Sequence, residues 1–223
     1  MSYWKNYWNN IAENKSPLKQ VQRDVISKTQ FVLIEKHICD LLKINSNDEL
    51  LDVCCGNGMI TKKIAKHCKH TVGIDFSAKL IQDAQVNNEC KKLKFKEENA
   101  VLLSDSLHQK FDKILLYFSF QYFNYCEGLQ VVAELKKHLK PGGIILIGDI
   151  PDHKKLWSYY DSFLKRVFFV KQCICKQPKM GKFWSEKELM ALASNNELKG
   201  VFLEQPSSLP HSHYRIDFIL THR

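Results

Sequence analysis

The pattern of apolar and polar positions divides the chain into short strands and amphipathic helices. Leu50-Leu51-Asp52-Val53, Thr71-Val72-Gly73-Ile74-Asp75 and the run 111–118 are apolar stretches bounded by polar residues. Such runs fit strands buried on both faces of a parallel sheet. Ile144-Ile145-Leu146-Ile147 and Val201-Phe202-Leu203 are two further strands, and Leu93-Lys94-Phe95-Lys96 is a weaker one. Tyr214, Ile216, Phe218 and Leu220 alternate with Arg215, Asp217 and Thr221, which predicts a last strand. Helices fall between. Ile60, Ile64, Ala65 and Cys68 share one helical face, and Ser77 is an N-cap ahead of inward Leu80, Ile81 and Ala84. A helix over 129–139 ends at Lys140-Pro141-Gly142-Gly143, and Ser185-x-x-Glu188 has the capping-box form that opens another.

Two segments of the pattern are aromatic. Tyr3, Trp4, Tyr7, Trp8 and Ile11 make a helix face at the start, expensive to leave exposed. It either packs simply on the domain or forms a flap over a pocket, where aromatic faces favour a cation. A second helix is expected over 24–42, with Val25, Thr29, Val32, Leu33, Ile38, Leu41 and Leu42 as its buried stripe. Later, Leu156, Trp157, Tyr160, Phe163, Leu164, Val167 and Phe168 form one aromatic-rich amphipathic helix. A short polar face of mixed charge counts against its lying on a membrane surface.

The chemistry concentrates where the first strand ends. Asp52-x-x-x-Gly56-Asn57-Gly58 is a tight turn between strand and helix. Glycine lets the backbone bend and leaves room for a ligand, and the helix start presents amide groups and a positive dipole end. Asp52 adds the opposite charge, so the pocket suits a ligand with an anionic and a cationic end. A dinucleotide fingerprint needs a third glycine where Thr61 stands. Asp75, at the tip of the second strand, is placed to accept two ribose hydroxyls. Tyr117, Phe118 and Gln121 lie at or just after the carboxyl end of the 111–118 strand. Ligands of such sheets bind at that edge, near a topological switch.

Asp-x-x-x-Gly-x-Gly followed by Gly73-Ile74-Asp75-Phe76-Ser77 closely resembles the class I, Rossmann-like S-adenosylmethionine-dependent methyltransferases. Leu139-x-Pro141-Gly142-Gly143 before a strand is similar to that family too. The resemblance covers roughly residues 45 to 150. It implies an α/β fold: a Rossmann-like, seven-stranded, mostly parallel sheet with an antiparallel last strand and helices on both faces. It implies S-adenosyl-L-methionine as cofactor, S-adenosyl-L-homocysteine as product, and methyl transfer. It places Phe76 against the adenine ring, where a buried core phenylalanine is the competing reading, and Asn99 and Ala100 against the adenine amino group. Asn99 departs from the more usual Asp, but its amide carbonyl can still accept a hydrogen bond. Tyr7 and Trp8, with Ala12, resemble a Y-W-x-x-x-A opening of small-molecule methyltransferases, and Gln20-Val21-Gln22-Arg23 a following segment; Tyr7, Trp8, Gln20 and Arg23 are cofactor-side candidates on that ground. An insertion after the fifth strand is where such enzymes shape the acceptor pocket. The N-P-P-Y or D-P-P-Y motif of amino-methyltransferases is absent, which argues against a nucleobase nitrogen.

Composition narrows this further. The 223 residues fit one domain, organised as an N-terminal helical flap (1–43), a cofactor-binding core (44–150), an acceptor-side insertion (151–184) and a last helix with two strands (185–223). No run of about 18 apolar residues is present, so no membrane span is expected. The start lacks a secretory signal, and a cytoplasmic protein is expected. Eight cysteines without a C-x-x-C pair read as reduced thiols, not a zinc site. The formal net charge of +9 comes from lysines scattered over several elements, which reads as a solvated face more than a nucleic-acid track. No metal site is expected, although Asp149, Asp152 and His153 are close in sequence. Methylating an alcohol needs a base, and His153, Asp149 and Tyr122 are candidates, with His211 and His213 behind them. The expected activity is methylation of a small molecule, at an oxygen of a sugar or secondary metabolite. The alternatives are an RNA or protein methyltransferase and a non-catalytic cofactor-binding module.

Overall fold

The computed structural model describes residues 2–13, 16–17, 20, 26–103, 107, 109–174 and 180–223. Seven strands form one sheet: β1 (Glu49–Val53), β2 (His70–Asp75), β3 (Leu93–Glu97), β4 (Phe111–Tyr117), β5 (Leu139–Pro151), β6 (Leu198–Glu204) and β7 (Arg215–His222). Their order is β3-β2-β1-β4-β5-β7-β6, with β7 antiparallel to both its neighbours. The order reverses between β1 and β4, so a cleft opens at their carboxyl ends.

Strand alternation builds a core on each face. Leu51, Val53, Ile114, Leu116, Ile145 and Ile147 point to one side, where they meet Val131, Val132 and Leu135 of α5 (Tyr125–Lys137) and Leu189 and Leu192 of α8 (Glu186–Asn195). Leu50, Leu115, Tyr117 and Leu146 point to the other and meet Phe31, Ile34, Ile38 and Leu42 of α2 (Lys28–Leu42). Successive residues of one strand thus serve opposite cores. Each fully buried aliphatic contributes about 1.5–3 kcal/mol relative to an exposed one. The remaining helices are α1 (Ser2–Ala12), α3 (Met59–Ile64), α4 (Ala78–Asn88), α6 (Leu156–Tyr159) and α7 (Phe163–Ile174). Among the described residues no helix is long and apolar enough to cross a membrane.

Several expected boundaries move. Helix α2 starts at a Ser27–Gln30 capping box, and its buried stripe runs through Phe31 and Ile34, leaving Val32 exposed. Asp24 and Val25 lie outside the described residues. Helix α5 begins four residues earlier than the pattern indicates, because Asn124 and Glu127 cap each other's backbone groups. Lys140–Gly143 belongs to β5, which pairs Leu139 with Phe111 and then shifts register. The insertion is two helices, α6 and α7, not one, and its apolar residues do not share a single face.

Trp184 ties the insertion to the sheet. It is fully buried, stacks on Phe120 at 4.7 Å between centroids, and donates its indole N–H to the Phe120 carbonyl at 3.2 Å. Trp184→Ala removes that ring from a closed core and is expected to lower unfolding free energy by about 3–5 kcal/mol. Urea denaturation measures this, and a loss below about 1 kcal/mol would contradict the packing described.

Candidate active site

The turn after β1 is held by Asp75. The Gly56 N–H donates to Asp75 Oδ2 at 3.0 Å, and the Ser77 N–H donates to Oδ1 at 2.9 Å. Cys54, Gly56 and Gly58 all adopt positive φ, so the chain folds back sharply on itself. A side chain at Gly58 would come within 2.4 Å of the Phe95 ring, which makes glycine necessary there on both counts. Asp52 is buried beside it and accepts a hydrogen bond from the Thr61 hydroxyl at 2.6 Å. Thr61, which breaks the dinucleotide fingerprint, therefore serves to orient this carboxylate.

These groups face one cavity of about 450 Å³, within the range typical of small-molecule sites. Of the residues singled out from sequence, Asp52, Gly56, Asp75, Phe76, Asn99, Tyr117, Phe118, Tyr122, Trp8 and Gln20 line it. The cavity runs from the Asp52–Asp75 edge to an aromatic wall of Trp4, Trp8, Tyr122 and Phe123. Trp4 and Trp8, from α1, lie 4.5 and 5.5 Å from the Tyr122 ring. The aromatic face of α1 is thus the cover of the cavity. Leu80, Met59 and Ile60 add apolar contacts, while Glu97, Glu98 and Glu127 add carboxylates. Sequence reasoning gave these no site role. The run Glu97-Glu98 before Asn99 was the available signal; Glu127 carried none, because its helix was expected to start later.

Other candidates sit elsewhere. Asn57 is buried under the turn, where it donates to the Pro17 carbonyl and to Gln20 Oε1, each at 2.9 Å. Gly58 packs on Phe95. Tyr7 stands edge-on to Trp4 and Trp8, on the cover but off the lining. Ala100 is part of the core. Gln121 lies behind the wall: its amide donates to the Phe118 carbonyl at 2.7 Å, and its carbonyl accepts from Arg215 at 3.4 Å. Arg23 lies outside the described residues.

Two of the three proposed bases do not face the cavity. His153 is exposed, in a turn after β5, with its backbone N–H donating to the Trp184 carbonyl at 2.9 Å. Asp149 is buried in an ion pair with Arg215 at 3.0 Å. It has positive φ at the register shift between β5 and β7, which turns its side chain toward the antiparallel strand. Around it Asp217 accepts from the Asp149 N–H (2.9 Å) and from Gln205 (3.0 Å) and contacts His37 at 2.6 Å. Gln205 in turn reaches the Tyr117 hydroxyl at 3.4 Å. This network fastens the rear of the cavity. Of the three, Tyr122 lines the cavity. Among the described residues no group of three or more His, Cys, Asp or Glu could hold a metal ion.

Burial pushes the Asp52 carboxyl up to about 7, against the lowering effect of Thr61 and with a further push from Asp75. Burial likewise raises Asp75 to about 6, opposed by the N–H groups of Ser77, Gly56 and Phe76. A carboxyl with a raised folded-state value binds protons more tightly folded than unfolded. Its stabilising effect is complete below the unfolded value near 4 and is lost as pH climbs toward 7. A cationic ligand favours the charged forms and so binds more tightly as pH rises through about 6 to 7. Calorimetric titration of S-adenosylmethionine from pH 5 to 8 should show that rise, and Asp52→Asn should flatten it; a level wild-type profile would contradict it.

Comparison with known proteins supports the geometry. The family model for a methyltransferase domain matches residues 50–143. A demethylmenaquinone methyltransferase of Staphylococcus saprophyticus is 26% identical over 186 residues, covering 71% of this chain and 76% of its own length. A ubiquinone biosynthesis O-methyltransferase of Pelagibacter ubique is 29% identical over 173 residues, covering 74% and 70%. Among solved structures, the N-methyltransferase NodS of Bradyrhizobium japonicum, in complex with S-adenosylhomocysteine, shares the fold with a TM-score of 0.65 at 15% identity, over 98% of this chain and 97% of that one. A methyltransferase of Anabaena variabilis aligns over 100% of this chain and 94% of its own with a TM-score of 0.70, at 15% identity. With the glycine turn and the two acidic strand tips at one sheet edge, residues 50–143 form a methyltransferase domain of Rossmann-like fold, and the chain is similar to S-adenosylmethionine-dependent methyltransferases along most of its length.

Proposed function

We propose that the protein methylates an oxygen on a small, ring-bearing acceptor of largely apolar character. The observation that carries this is the aromatic wall. Trp4, Trp8, Tyr122 and Phe123 stand across the cavity from Asp52 and Asp75, and flat aromatic faces suit a planar ring by offset or edge contacts. Within the expected range of sugar and secondary-metabolite oxygens, this wall favours a phenol-like acceptor. The relatives named for demethylmenaquinone and ubiquinone biosynthesis, one of them an O-methyltransferase, support a ring of that kind.

Asp75 is the residue proposed to take the ribose hydroxyls; its carboxylate is already fixed by the Gly56 and Ser77 N–H groups. Phe76 and Asn99 would flank the adenine, and Asp52, Tyr117 and Phe118 the methionine end. S-adenosylmethionine, when bound, supplies a methyl group activated on a sulfonium. The task left to the protein is positioning the acceptor and removing its proton. On this reading Tyr122, on the wall beside Trp4 and Trp8, holds the acceptor hydroxyl, and Glu127 on the same lining receives the proton. Trp4 and Trp8 of α1 stand beside that contact.

Asp75→Ala is expected to weaken S-adenosylmethionine binding about tenfold or more, since it removes a charge-assisted pair of hydrogen bonds. Tyr122→Phe should leave that affinity within about threefold and lower kcat at least about tenfold. Turnover against a panel of phenols, quinols, sugars and phosphosugars tests the acceptor class. Methyl transfer to the phenolic hydroxyl is the expected outcome, and turnover of sugars alone would overturn it.

A further inference from the structure

Helix α7 (Phe163–Ile174) turns its apolar residues outward. Phe163, Val167, Val170 and Ile174 recur at i, i+4, i+7 and i+11, which places them on one face of a helix. They are 78, 52, 53 and 76% exposed, and Leu164 beside them is 79% exposed. The opposite side turns Phe169 inward, against the cluster of Tyr160, Met180, Phe183 and Tyr214, and buries Gln172. A contiguous outward face of this kind on a packed domain marks an interaction surface.

The charge says what covers it. Between Asp161 and Glu186 the sequence holds Lys165, Arg166, Lys171, Lys176, Lys179 and Lys182 and no acidic residue. The acidic member of the mixed charge expected from sequence is Asp161, just before α7, where it pairs with Lys165 at 2.9 Å; beyond the helix Lys182 pairs with Glu188 at 2.6 Å. Helix α7 itself carries basic charges and no carboxylate. Lys171 falls within the apolar face at helical spacing, and among the described residues it pairs with no carboxylate. A lysine there can lay its stem along the apolar face and lift its ammonium to an anionic layer above. Basic residues flanking an outward apolar helix face match a bilayer with anionic headgroups, where the apolar side enters the acyl boundary.

We propose that α7 docks the protein on an anionic lipid surface. The placement relates that surface to the cavity. After residues 175–179 the chain returns at Gly181 and Lys182 to the cavity wall, where the Lys182 N–H donates to the Gln121 carbonyl at 2.7 Å, next to Tyr122. Gly181, with positive φ, lies so close to Gln121 that an added Cβ would sit 2.3 Å from its carbonyl oxygen. The lipid-facing helix is therefore joined by backbone to the wall proposed to hold the acceptor. The docking itself is independent of which acceptor is methylated.

The test is co-sedimentation of the full-length protein with vesicles of pure phosphatidylglycerol or pure phosphatidylcholine, alongside sedimentation velocity without lipid. The expected result is capture by phosphatidylglycerol, weakened at high salt, and at most weak capture by phosphatidylcholine. Val167→Glu with Val170→Glu should reduce capture about tenfold or more, with S-adenosylhomocysteine affinity and melting temperature unchanged. Lys171→Glu should reduce it with the same controls. No capture by phosphatidylglycerol would overturn the proposal. So would capture unaffected by both variants, or a wild-type dimer that the double variant converts to monomer while vesicle binding persists.

Discussion

The Gly56 N–H to Asp75 hydrogen bond is the constraint on which the site depends. It joins the turn after β1 to the tip of β2, two adjacent parallel strands. The turn that carries that amide contains three positive-φ residues, and two of them are glycine. Once the bond is made, the turn is held, α3 starts just after Gly58, and Asp52 and Asp75 face one space. Burying a carboxyl group is unfavourable, and the raised protonation range of Asp52 and Asp75 reflects that burial, with a smaller push on Asp52 from Asp75. A positively charged ligand relieves that cost, so an intrinsically unstable pair of acids becomes binding energy.

The cover over this space is secured by amide chemistry. Asn57 reaches from the turn to Pro17 and Gln20, and Gln20 reaches on to Ala12 and, at 2.9 Å, to Asp83 of α4. One buried glutamine thereby fixes the N-terminal segment to two parts of the Rossmann-like core. Helix α1 needs such an anchor, because its own Trp4 and Trp8 contact the cavity and Tyr122 in preference to the main cores. Ordering by a few hydrogen bonds, with limited apolar burial, is what a cover that must admit ligand requires.

The rear of the cavity follows the reverse logic. Arg215, Asp149, Asp217, Gln205, His37 and Tyr117 form a linked polar cluster where β4, β5 and β7 meet α2. Removing one partner would strand a buried charge, a costly event. The cluster holds the end of β4 through Tyr117, so this side of the cavity is braced by buried polar contacts where the opposite side is covered by a helix. Gly148 takes part by close approach: a Cβ there would sit 2.2 Å from the Tyr117 ring.

The sequence by itself determined the strands, the glycine turn and the two acidic tips, because each is a local pattern: apolar runs, backbone bending and a carboxylate at a strand end. The seven strands and the Asp52, Gly56 and Asp75 edge are legible for that reason. The tertiary structure decided what depends on partners distant in the chain. Asp149 reads as a base until Arg215, 66 positions away, is seen beside it. Gln121 reads as a ligand contact until the same arginine draws it behind the wall. His153 reads as a base until the turn after β5 leaves it in solvent. Glu127 and the outward face of α7 are invisible to periodicity, which shows that a helix has an apolar side and not which way that side turns. Local chemistry fixes an element's identity; its orientation is set by packing between residues that only the folded chain brings together.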